Sequence, residues 1–286
     1  MDSRELGLVL GQQLLGIEDL HYGLWDPDLK PTLGNLPVAQ QRYTDFLLNT
    51  LPAPDKGAVR VLDIGCGTGH LMKQMIERGY RVDGVSPSPS LSRKVRERLS
   101  ALPEADTTLF ECRFEDFPWE EHRERYDAAV FSESFQYIPM ERAFEILATI
   151  VKPGGTVVIC DFFQTDATGD GGPGDGSFGG GHPLRDFQSL LQRIPFKVER
   201  DEDITKRVSP NLALLDDLLM NKLGPAFESI GRYFEGRRPL LFGTFRRMFR
   251  KRLDKIRFKY FSGYRNDRTF ERYKSYHLVM LSRPAR

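Results

Sequence analysis

The sequence predicts an α/β protein built on a mostly parallel sheet with helices covering both faces. Two observations carry this expectation. From residue 59 onward, short apolar runs alternate with stretches of helical periodicity, the pattern of successive βαβ units. Between the first apolar run and the first helix stands a turn with three glycines, Asp63-Ile64-Gly65-Cys66-Gly67-Thr68-Gly69. The chain has 286 residues, 40% of them hydrophobic, enough for one large domain with insertions.

The elements follow in order. LGLVLGQQLL (6–15) has helical spacing, HYGLWDPDLKP (21–31) reads as an aromatic, proline-containing loop, and PVAQQRYTDFLLNTL (37–51) reads as a helix. VRVLDI (59–64) is the first strand and HLMKQMIERG (70–79) its helix. YRVDGVS (80–86) and SLSRKVRERLSAL (90–102) repeat the unit, and TTLFEC (107–112) is a third strand. YDAAVFS (126–132), MERAFEILATIV (140–151) and GTVVICDF (155–162) supply a fourth strand, a helix and a fifth strand. Residues 164–182 are dense in glycine and nearly free of apolar anchors, so they read as a mobile loop that could act as a lid. A helix (182–194), a sixth strand (195–204), a mostly helical insertion (207–262) and a last strand (272–283) complete the chain. The organisation expected is a cap over 1–58, a core over 59–206, a basic helical insertion over 207–262, and a return to the core over 263–286.

Glycine permits positive φ and removes the Cβ, so a ligand can approach the backbone of the 63–69 turn. In an open parallel sheet, ligands bind at the carboxyl ends of strands. The dinucleotide fingerprint G-x-G-x-x-G fails here, because its third glycine falls on His70, and the Gly-Lys-Ser/Thr ending of a P-loop is missing. Asp63, two residues before the first glycine, suits a cofactor bearing an ammonium group better than one bearing a pyrophosphate.

VLDIGCGTG resembles the first motif of the class I S-adenosylmethionine-dependent methyltransferases. YDAAVFSESFQYI and IVKPGGTVVICDF resemble the segments around their fourth and fifth strands. The resemblance implies a doubly wound, Rossmann-like, seven-stranded sheet whose last strand lies antiparallel between the fifth and sixth. It implies S-adenosylmethionine as cofactor, with Gly65, Cys66, Gly67 and Gly69 against its methionine part and Asp63 orienting it. Phe114 and Glu115 match the segment that flanks adenine, and Ser132 and Glu133 would line the pocket near the methionine part. Two positions depart from the family pattern. Ser86 stands where an acid usually grips the ribose hydroxyls; the tocopherol, sterol and cyclopropane-fatty-acid methyltransferases also carry a hydroxyl residue there, and the chain loosely resembles that subgroup. Arg113 stands where many relatives carry an acid.

A sulfonium methyl is already electrophilic, so alignment and exclusion of water dominate, and a base is needed only for a protonated acceptor. Glu133, Tyr22 and His182 are the candidate catalytic residues, with His21 and Tyr137 nearby in the sequence pattern. Residues 232–260 hold eleven Lys and Arg against Glu235 and Asp254, with Leu241, Phe245, Phe249, Leu253, Ile256 and Tyr260 at helical spacing. A roof of Tyr22, Trp25, Phe162, Phe163 and helix 240–260 would favour a small-molecule acceptor with an apolar body and an anionic end. The basic helix could instead be a cap whose apolar stripe packs on the sheet domain while its charge is solvated, or it could touch an anionic membrane surface.

Net charge is +1 and no recognition motif accompanies the basic run, which argues against a nucleic-acid partner. Cys66, Cys112 and Cys160 form no disulfide framework or zinc spacing, and no metal is expected. No secretory leader or membrane span is read, so a cytoplasmic setting is expected. The alternative reading is a protein of the same fold that binds cofactor or partner without catalysis. Acceptor atom and oligomeric state are open at this level.

Overall fold

The computed structural model describes residues 18–19, 21–54, 59–237, 248, 251, 254, 258 and 260–285. Seven strands form one sheet: β1 (Arg60–Ile64), β2 (Arg81–Val85), β3 (Leu109–Phe110), β4 (Tyr126–Ser132), β5 (Val151–Gln164), β6 (Lys197–Asp203) and β7 (Lys274–Ser282). Their order is β3-β2-β1-β4-β5-β7-β6, and β7 alone runs antiparallel, inserted between β5 and β6. The expected doubly wound sheet, with its last strand between the fifth and sixth, is therefore the one present.

The described helices, numbered in chain order, are α1 (Leu36–Leu48), α2 (His70–Glu77), α3 (Pro89–Leu99), α4 (Met140–Ile150), α5 (Leu184–Leu191), α6 (Thr205–Val208), α7 (Pro210–Asp217), α8 (Gly224–Arg237) and α9 (Asp267–Tyr273). A π-helical stretch, Leu218–Leu223, joins α7 to α8. Alternation along the strands feeds two cores, one on each face. Val61, Val130, Val158, Cys160, Tyr276 and Leu278 pack with α1, α2 and α7 residues on one face. Leu62, Phe131, Ile159, Phe163, Val279 and Leu281 pack with α4 and α5 on the other.

Several sequence boundaries move. β3 keeps only two residues of the six expected. β5 starts at Val151, so Lys152-Pro153-Gly154-Gly155 lies within the strand, with Gly154 at φ 78°. Arg272 and Tyr273 close α9 rather than opening β7; Asn266 caps the start of that helix by accepting a hydrogen bond from the Thr269 amide at 2.9 Å.

The glycine-dense loop departs most from expectation, because it is anchored rather than free. Phe178 (8% exposed) and Ser177 are buried. Asp170 accepts hydrogen bonds from Arg272 and the Tyr273 hydroxyl, and Asp175 accepts from the Gly169 and Gly171 amides. Gly169, Gly171, Gly174, Gly176, Gly180 and Gly181 all have positive φ, so glycine supplies tight turns here rather than chain freedom. The helix read at 6–15 and most of the basic amphipathic helix at 240–260 lie outside the described residues.

Candidate active site

The carboxyl ends of β1, β2, β4 and β5, and the start of antiparallel β7, share one edge of the sheet. The 63–69 turn lies there, tied to β2 because the Gly65 and Cys66 amides both donate to the Val85 carbonyl, at 2.9 and 3.1 Å. Gly65, Gly67 and Gly69 have φ of 78°, 54° and 77°. The protein itself requires two of them to be glycine. A Cβ at Gly65 would lie 2.4 Å from the Ser134 Cβ, and one at Gly69 would lie 3.2 Å from the Val95 methyls. Beside the turn, Asp63 is 1% exposed and its Oδ2 has no hydrogen-bond partner among the described residues. Burial pushes its carboxyl up to about 7.

A strap from the N-terminal region crosses this turn. Glu18 accepts from Thr68 Oγ1 through its carbonyl at 3.1 Å, and its carboxylate takes Arg98 at 2.9 Å. Asp19 sits 2.8 Å from His70 Nδ1 and 3.4 Å from His21 Nε2. Burial opposes ionisation of Asp19, but the hydrogen bonds to His21 and His70 outweigh it and hold the carboxyl below its usual range. Burial likewise disfavours charge on His21, and Asp19 overrides that and raises its pKa. The strap is held from two sides. Gln40 on α1 donates to the Asp19 and His21 carbonyls, and Asn211 on α7 both accepts from the Gly23 amide and donates to its carbonyl.

Glu133 is the hub between strap and sheet. It follows β4 with φ 55°, a left-handed conformation costly for a side chain with a Cβ. There its Oε1 accepts from the Tyr22 amide at 2.7 Å and from the Tyr276 hydroxyl at 3.0 Å. The Tyr276 hydroxyl also lies 3.0 Å from that of Tyr43, which is 3.2 Å from Ser132 Oγ. Burial raises the Glu133 carboxyl above its usual range, only partly offset by the Tyr22 amide, the nearby His21 and the Tyr276 hydroxyl. Asp161 (1% exposed) lies near enough for the two charges to repel. Burial first, then Glu133, push its carboxyl to about 8 against the Gln136 and Phe162 amide hydrogen bonds.

Other expected site residues stand differently. The Cys66 thiol points into the core near Gly84, so only its backbone faces the turn. Ser86 is buried at the end of β2, and its Oγ is 3.4 Å from the Ser88 amide. The Phe114 ring packs against Phe131 and Phe117 in the core, so it supports the segment from beneath, and Glu115 pairs with Arg113 at 2.9 Å. His182 Nε2 is 2.9 Å from the Ile138 carbonyl and 3.1 Å from that of Phe135, committed to backbone rather than open to a reactant. Of the expected roof, Tyr22 and Phe162 share one wall with Phe178, Phe270 and Tyr276. Phe163 faces the opposite core and Trp25 packs with Leu36 and Ala39. One residue's difference in β5 register separates Phe162 from Phe163, because neighbouring side chains leave a strand on opposite faces. A cavity of about 450 Å³ opens at the β5–β7–β6 end of the edge, lined by Thr165, Asp203, Thr205, Lys206, Lys274 and Ser275 among others, beside rather than over the glycine turn.

Residues 38–214 match the methyltransferase domain family. The chain belongs to that family. Over 120 residues it is 32% identical to an uncharacterized methyltransferase of Geobacillus kaustophilus, a match covering 41% of this chain and 52% of that protein. Over 147 residues it is 31% identical to a ubiquinone biosynthesis O-methyltransferase of Idiomarina loihiensis, covering 49% and 54%. The chain thus spans about half the length of these curated relatives. The geranyl diphosphate C-methyltransferase of Streptomyces coelicolor A3(2), solved with Mg²⁺, geranyl diphosphate and S-adenosyl-L-homocysteine, superposes with a TM-score of 0.66 at 18% identity, covering 95% of this chain and 92% of that one. That likeness is one of fold.

Sequence reasoning missed Tyr43, Asp161, Asn211 and Tyr276. Tyr43, Asn211 and Tyr276 belong to no local motif and reach the site through partners far along the chain, as Tyr276 reaches Glu133 across 143 positions, whereas Asp161 lies within the fifth-strand segment and accepts from Gln136 across 25.

Proposed function

We propose that this chain transfers a methyl group from S-adenosylmethionine to a small acceptor with an apolar body. The Asp63 carboxylate carries the reading. A buried acceptor atom left unpaired costs roughly 1–3 kcal/mol, and Asp63 Oδ2 is such an atom beside a turn of positive-φ glycines. A cation of ammonium size would satisfy it, and the methionine part of the cofactor carries one. When bound, the cofactor supplies a methyl carbon made electrophilic by its sulfonium, open to a lone pair on the acceptor. Asp63 would hold the ammonium, the backbone of 65–69 the methionine part, and Ser86 the ribose, with 114–115 flanking adenine and Ser132 closing the floor.

On the acceptor side, Glu133 is placed to receive a proton, Tyr22 covers it, and the strap excludes water. The wall of Tyr22, Phe162, Phe178 and Phe270 favours an apolar acceptor body. The relatives named for ubiquinone biosynthesis and for geranyl diphosphate support that choice. The 207–262 segment acts in this reading as an acceptor-side cap, since Asn211 clamps the strap. Among the described residues no helix is long and apolar enough to cross a membrane, and Cys66, Cys112 and Cys160 are free thiols, in keeping with a cytoplasmic setting.

The test is incubation with methyl-labelled S-adenosylmethionine and a small-molecule extract. Label should enter an extractable small molecule only when protein is present. Cofactor binding with no label transferred to any fraction would instead support a binding protein of this fold.

A further inference from the structure

Arg265 stands apart from the other described cations near this edge. Its guanidinium lies over the Phe178 ring, 5.3 Å from the centroid, and over the Tyr260 ring at 5.2 Å. It forms no ion pair among the described residues, and its buried Nε has no hydrogen-bond partner. By contrast, Arg272 pairs with Asp170, Arg207 with Asp26, and Lys274 donates to the Gly180 carbonyl. A guanidinium stacked on rings still has its in-plane donors to satisfy, and these match the oxygens of a carboxylate or phosphate.

The group is also held in place. Arg265 directly precedes Asn266, whose side chain caps α9 and donates to the Gly263 carbonyl at 2.7 Å. The neighbouring Tyr264 carbonyl accepts from Ser177 of the glycine loop. A continuous run of ring contacts connects Arg265 to Glu133. Phe178 meets Phe270 at 5.4 Å, Phe270 meets Tyr22 at 6.1 Å, Tyr22 meets Tyr276 at 6.3 Å, and the Tyr276 hydroxyl donates to Glu133. A row of packed aromatic rings therefore links a buried acid at one end to a cation that has no ion pair among the described residues at the other.

We infer that Arg265 is the anion anchor of the acceptor pocket, binding a carboxylate or phosphate at the far end of an apolar acceptor and thereby setting which atom reaches Glu133. The inference rests on the transferase reading for the meaning of the pocket, but not for the anion contact itself. Neither a positively charged acceptor nor a neutral one would satisfy the in-plane donors of Arg265.

Three ten-carbon probes test it: decanoate, decyl phosphate and decanol, titrated by calorimetry into the protein with and without S-adenosylhomocysteine. At least one anion should bind wild type about tenfold or more tightly than decanol, and the tighter of the two identifies carboxylate or phosphate. Arg265→Gln should remove that preference, about ten- to a hundredfold in affinity, with S-adenosylhomocysteine binding unchanged. Arg265→Lys, which keeps the charge but loses the planar fork, should recover part of it. Equal binding of decanol and both anions, binding of none of the three, or an anion preference that survives Arg265→Gln would overturn the inference. Loss of S-adenosylhomocysteine binding in wild type, with the Arg265-dependent preference intact, would sink the transferase reading and sustain the anchor.

Discussion

The two ends of the sheet's carboxyl edge are built on different plans. At β1 and β2, the proposed cofactor end would take its turn, its acid and its ribose-side residue from one stretch, Asp63 to Ser86. At β5 and β7, the proposed acceptor end gathers Tyr22, Glu133, Phe162, Phe178, Arg265, Phe270 and Tyr276 from places spread over most of the chain. The first is a local backbone device, in which a positive-φ turn follows a strand. The second depends on tertiary packing, with a strap and a glycine loop folded onto the same aromatic surface. Within one family, chemistry common to all members can sit in the first while the second changes with the acceptor.

The sharpest way to separate the two ends is at the glycines. Gly67→Val places a β-branched residue at φ 54° within the turn proposed to take the cofactor. It should weaken S-adenosylhomocysteine binding more than about a hundredfold, a loss of roughly 2.7 kcal/mol, while thermal denaturation still shows a cooperative fold. Gly65→Ala should act on the fold instead, because its Cβ meets Ser134 at 2.4 Å, and should lower the melting temperature by several degrees. If Gly67→Val binds normally, the turn is not the cofactor site.

Glu133→Gln probes the acceptor end. The amide oxygen can still accept from Tyr22 and Tyr276, so the strap should stay closed and cofactor affinity should change less than twofold. Methyl transfer to the labelled acceptor should fall by about 10²–10⁴ if Glu133 takes the acceptor's proton. An unchanged rate would leave Glu133 as a positioning residue for the strap.

A smaller effect should appear with pH at Asp63. Its free carboxyl titrates near 7, raised by burial, and binding an ammonium requires the ionised form. Cofactor affinity should therefore fall as pH drops below about 7, by roughly tenfold per unit, and Asp63→Asn should bind weakly with no such slope. Folding runs the other way. The raised carboxyl favours the ligand-free fold when protonated, so wild type relative to Asp63→Asn should lose stability as pH rises between the ordinary value of 3.8 and about 7. Calorimetry and thermal melts across that window check both signs. The mildest substitution is Ser86→Asp, which supplies a charged acceptor beside the ribose and should keep or tighten binding by a few-fold. A large loss with an intact fold would mean that the end of β2 does not meet the ribose.

Sequence patterns carried the sheet because its central strands face two cores and read as apolar runs bounded by turns, as in VRVLDI and YDAAVFS. The glycine turn was legible because strand, acid and glycines are contiguous. β3 was overread because apolar composition does not reveal how few residues find a partner strand. The glycine loop was misread because composition gives the entropy of the free chain and not the anchors, Asp170 to Arg272 and Phe178 to Phe270, made over about a hundred positions. His182 had a plausible place beside the loop, yet two backbone carbonyls claim its ring. Arg265 carried no signal within a chain holding 41 Lys and Arg, since only the lack of a counter-charge distinguishes it.

The most direct test of the account is a calorimetric titration of the wild-type chain with S-adenosylmethionine at pH 7.5, with NAD as the control ligand. One saturable site for S-adenosylmethionine is expected, lost in Gly67→Val, with no binding of NAD. Saturable NAD binding with no response to S-adenosylmethionine from folded protein would contradict it.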